Sequence, residues 1–127
     1  MGGPQFWEAL RQHPCLAELA ELARPGRGWV FLPAFCNGVE CLFGVHVGEF
    51  VSETIIVRSE EDVTVARLRN DDFLEPRRSG MPQVVLWEYT GTLVDALQEL
   101  RELPGHDHPA APKLLRPASS MFVIADK

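Results

Sequence analysis

Lysine is almost missing from this 127-residue chain: two lysines stand beside ten arginines, and eighteen acidic residues bring the formal net charge to −6. Each uncompensated carboxylate repels phosphate backbones and anionic lipid, so binding to nucleic acid or to a membrane surface is not expected. No apolar run reaches the roughly 18–20 residues that would cross a bilayer. The opening MGGPQFWEALRQHP has neither the basic nor the apolar region of an export signal. Gly2-Gly3 begins a myristoylation pattern, but Phe6 stands where Ser or Thr is required. The expectation is a cytoplasmic protein. Cysteine is scarce too: Cys15, Cys36 and Cys41 are an odd number, and in that compartment they are expected as reduced thiols. A phosphate-binding glycine loop, a dinucleotide fingerprint and a nucleophile elbow are all absent, so no catalytic residue and no cofactor is assigned.

The chain has the composition of a folded protein, 46% hydrophobic and 24% charged. Its length suits a single domain, residues 1–127. The first segment, PQFWEALRQHPCLAELAELARPG, has helical spacing at Leu16, Leu19, Ala20, Leu22 and Ala23, split by Pro14 and stopped by Pro25-Gly26. Then come strand patterns. WVFLPAFC leads into Asn37-Gly38, the dipeptide best suited to a two-residue hairpin turn, and VECLFGVHV follows. VSETIIVR and VTVARLR form a second hairpin around 59–62, and QVVLWEYTG adds a fifth strand. Pro33 cannot donate to a ladder and predicts an edge or a bulge. Thr92 caps a helix in which Leu93, Ala96, Leu97, Leu100 and Leu103 recur on one face. SMFVIAD closes the chain as a strand, with a possible parallel return beside the fifth.

The expected fold is α+β: a mainly antiparallel sheet of five to six strands built from hairpins. N-terminal helical segments and one C-terminal amphipathic helix would cover one face. That leaves a second face in need of cover, and Ile56 interrupts its polar pattern, which favours a partner surface. Trp7, Trp29 and Trp87 read as core or interface anchors.

Four groupings bear on chemistry. Cys36, Cys41 and His46 suggest zinc, but the hairpin geometry rules against it. With Asn37-Gly38 as turn residues, Cys36 pairs with Val39 and Ala34 with Cys41. His46 then faces the opposite side with Leu42 and Gly44, and no fourth ligand is in sight. No metal site is assigned. Arg77 and Arg78, in the aperiodic segment 70–82, suit a planar anion, although Asp71, Asp72 and Glu75 lie close in sequence. His106 and His108, one residue apart in LPGHDHPAAPK, would share a face in an extended chain and are a candidate binding pair. Arg58, Arg67 and Arg69 with Glu53, Glu60 and Glu61 read as cross-strand ion pairs on a solvent face.

The leading functional expectation is a small acidic, non-enzymatic protein-interaction domain. It would form a homodimer or bind a partner protein through its sheet, in an accessory, chaperone-like or immunity-like role. The alternative is a small enzyme or ligand-binding domain with a pocket near His46, Glu49, His106 and His108.

Overall fold

The computed structural model describes residues 17–36, 39–71, 84–118 and 123–124. Helix α1 spans Ala17–Leu22. Strands β1 (Trp29–Cys36), β2 (Val39–Val47), β3 (Val51–Ser59) and β4 (Asp62–Arg69) follow. Then come β5 (Val84–Val85), β6 (Trp87–Gly91), helix α2 (Leu93–Glu102), β7 (Arg116–Pro117) and β8 (Val123–Ile124). The main sheet has the order β6-β4-β3-β2-β1-β8, and all its pairings are antiparallel. A second, two-stranded ladder joins β5 to β7. The protein is a sheet-dominated α+β fold.

Hairpin chemistry sets the register. Cys36 pairs with Val39 and Ala34 with Cys41, as expected for a two-residue connection at 37–38, which itself lies outside the described residues. Ser59 faces Asp62, and Glu61 N donates to Ser59 Oγ in the intervening turn. On its outer side β1 meets β8 at Ala34 and Phe35 among the described residues. Pro33 thus lies in a strand next to the short outermost one, near the sheet edge where a residue without an N–H is tolerated.

One sheet face is closed by the helices. Phe31, Ile55, Val63 and Val65 from the strands meet Leu19 of α1 and Leu93, Ala96 and Leu97 of α2. Burying each of the larger side chains contributes roughly 1.5–3 kcal/mol. Phe31 lies directly opposite Gly44, and a Cβ at Gly44 would run into the Phe31 ring. Helix α2 starts on Thr92, whose side chain accepts from Asp95 N at 3.1 Å, satisfying one of the orphan donors of the first turn.

One expectation is corrected here. The closing strand does not run parallel beside β6; it pairs antiparallel with β1 at the other side of the sheet. The 20 residues from 103 to 122 can reach roughly 65 Å when extended. Five strands span only about 20 Å, so the far side is well within range. The centre of the second sheet face is apolar and buried. Phe43 is 1% exposed and Ile56 4%, in a cluster with Ala34 and Cys41, all within the single chain. Toward β4, Ala66 and Leu68 are closed by Val85 and Ala118.

Candidate functional site

Across the sheet, one row of directly opposed residues runs Trp29–His46–Glu53–Arg67–Trp87, from β1 through β2, β3 and β4 to β6. The row two residues along is Phe31–Gly44–Ile55–Val65–Tyr89, largely core. Strand alternation puts both rows on the helix-covered face. The polar row lies where the cover thins, beside Leu100 near the end of α2.

The centre of this row is an ion-pair array. Arg67, 5% exposed, donates from Nε to Glu53 Oε2 at 2.8 Å and from Nη1 to Pro104 O at 2.8 Å. The guanidinium thus fastens β3 to the backbone just past α2. His46 Nδ1 stands 3.7 Å from Glu53 Oε1, outside hydrogen-bond length. The ring centroids of His46 and Trp29 are 5.6 Å apart. Gly28, at φ +87°, lets the chain pass close to the imidazole, since a Cβ there would lie 3.0 Å from His46 Cδ2.

Beside the array opens a cleft of about 570 Å³, lined by the turn residues Gly48, Glu49, Phe50 and Val51, by His46 and Glu53, and by His106, Asp107 and Lys113. Its size lies within the roughly 300–1,000 Å³ common for small-molecule sites. A smaller cavity of about 230 Å³ adjoins it through the shared residues His46 and Glu53 and reaches Trp29, Arg67 and Leu100.

Both walls are held in place. Asn70 donates from Nδ2 to Gly48 O at 2.9 Å and to Glu49 O at 3.2 Å, and from its backbone N to Phe50 O at 3.0 Å. Ser52 Oγ donates to Asn70 Oδ1 at 2.6 Å. One asparagine therefore engages three successive carbonyls of the turn. On the opposite wall, Lys113 Nζ donates to His106 O at 2.6 Å. The His106 ring lies 6.0 Å from that of Phe50 across the cleft. His106 Nδ1 is buried and has no hydrogen-bond partner among the described residues, a situation that costs on the order of 1–3 kcal/mol.

The sequence-predicted residues divide sharply. His46, Glu49 and His106 come together in the cleft. His108 does not join them: its Nδ1 accepts from Ala110 N at 2.9 Å, and the chain turns there through His108 N to Gly105 O and Ala111 N to His108 O. The pair fails as a shared site because residues 105–111 form turns, and alternate residues share a face only in an extended chain. Arg77 and Arg78 lie outside the described residues. Cys41 and His46 occupy opposite faces, Cys41 buried among Ala34, Phe43 and Ile56. Among the described residues no three His, Cys, Asp or Glu side chains are grouped to hold a metal ion.

Three contributors were missed or misread. Glu53 and Arg67 were placed on a solvent face, whereas they line the covered one. Their signal was in the alternation: Glu53 shares parity with Ile55 and Val57, and Arg67 with Val63 and Val65. Asn70 was read as ordinary loop. No family model matches the chain, and no curated protein or solved structure does either.

Proposed function

We propose that this protein is a single ligand-binding domain that takes a small molecule in the cleft between the 48–51 turn and the 106–113 loop. The observation that carries this reading is the convergence of His46, Glu53 and His106, from three separate segments, on one cleft of about 570 Å³. A purely structural role would leave such a cleft without use for its tied-down walls, and pre-organised walls are what binding sites need. The Arg67–Glu53 pair sets a carboxylate beside His46 at the edge of the cleft. A protein-observed NMR screen of small aromatic and aliphatic fragments tests the proposal. Hits should shift resonances of residues 46–53 and 104–113, and the rim substitution Glu49→Trp should abolish them. A screen whose hits all map elsewhere, or that gives none, would remove it.

A second reading, a homodimer formed through the sheet, is favoured by one observation. Val30 and Val47 are diagonal neighbours on the second sheet face, and each is about half exposed. Light scattering at high micromolar concentration decides it: a dimer dispersed by Val47→Lys supports this reading, and a monomer throughout removes it.

A further inference from the structure

We propose that the cleft selects a small organic cation with an aromatic or apolar body, such as a primary amine; this rests on the ligand-binding reading above. The charges that line it are three carboxylates, Glu49, Glu53 and Asp107, against one ammonium, Lys113. That ammonium gives one of its three donors to the His106 carbonyl at 2.6 Å. Arg67 satisfies Glu53 through Oε2 alone. Oε1 faces His46 at 3.7 Å and retains capacity to accept from a ligand N–H. Arg67 compensates Glu53 at 2.8 Å, which leaves Glu49 and Asp107 against Lys113, so an anion entering here would meet a net negative lining.

The apolar half of the site matches the same class. Phe50 is 63% exposed, a large cost for an aromatic ring in water unless something covers it. It stands across from the His106 ring at 6.0 Å. The two rings are in contact, so a phenyl or short alkyl body would rest against the exposed part of Phe50, and an ammonium near that ring's face gains a cation–π attraction. Amine, apolar body and acceptor-lined cleft are thus mutually consistent.

The test is a titration of the whole chain at low salt with three probes of similar size: 2-phenylethylammonium, phenylacetate and benzyl alcohol. A probe of so few atoms is expected to bind with a Kd on the order of a millimolar. The ammonium should bind about tenfold tighter than phenylacetate and weaken as salt is raised. Glu49→Gln and Asp107→Asn, both at exposed residues, should each weaken it about threefold. Lys113→Gln should act in the opposite direction and strengthen it. If phenylacetate or benzyl alcohol binds in the cleft as tightly as the ammonium, the cation proposal falls and the ligand-binding reading stands. If none of the three shifts residues 46–53 or 106–113, both fall.

Discussion

Removing the Arg67 guanidinium is the sharpest structural perturbation available. Its Nε and Nη1 donate at 2.8 Å to Glu53 Oε2 and to Pro104 O, and its side chain is 6% exposed against 19% for Glu53. Arg67→Met keeps most of the aliphatic volume but strands a carboxylate and a carbonyl. Breaking a fully buried pair costs about 3–5 kcal/mol. Glu53 retains some solvent, so the expected loss is near the lower end, about 3 kcal/mol. With a urea m-value of about 1.5 kcal/mol/M, the unfolding midpoint should fall by about 2 M. The companion double variant, Arg67→Met with Glu53→Met, removes the stranded charge together with its partner. It should cost about 1 kcal/mol, less than Arg67→Met alone, because apolar isosteres replace a buried pair with little penalty. Equilibrium urea unfolding followed by tryptophan fluorescence reads both. A double variant at least as unstable as Arg67→Met would refute the claim that the pair is buried and coupled, and so would a loss below about 1 kcal/mol for Arg67→Met.

Asn70→Ala should cost about 2 kcal/mol, since it removes the side-chain contacts to Gly48 O, Glu49 O and Ser52 Oγ; hydrogen exchange should quicken locally at residues 48–52. Gly44→Ala places a methyl against the Phe31 ring and should destabilise by about 1–3 kcal/mol through overpacking, measured as a lower thermal midpoint. His106→Ala should weaken binding of 2-phenylethylammonium severalfold, whereas His108→Ala, whose ring only caps its own turn, should leave it unchanged by calorimetry.

The parts of this fold most legible in the sequence were those fixed locally. Asn37-Gly38 set the register that pairs Ala34 with Cys41, and that register alone separated the cysteine from His46. The second hairpin was equally plain, because Ser59-Glu60-Glu61-Asp62 interrupts two β-branched runs. What failed was non-local. Nothing in the residues near 123–124 says that they pair with β1, since twenty intervening residues permit either side of the sheet. The cleft was half visible. His46, Glu49 and His106 were picked out as chemistry-bearing residues, but their convergence depends on strand order. Glu53 and Arg67 were hidden by the habit of assigning charged pairs to water. Their parity with Ile55 and Val65 was the available clue. A charged residue on the apolar face of two adjacent strands marks the place where a covered face opens. Residues 77–78 remain an expectation only, outside the described residues.

The central claim is that the cleft between the 48–51 turn and the 106–113 loop is a small-molecule site. The most direct measurement records the imidazole nitrogen signals of the four histidines by long-range proton–nitrogen NMR while 2-phenylethylammonium is added. The account predicts that the His46 and His106 rings both move along one binding curve while His108 stays fixed. Unmoved His46 and His106 signals at saturating probe, or a His108 signal that moves in their place, would contradict it.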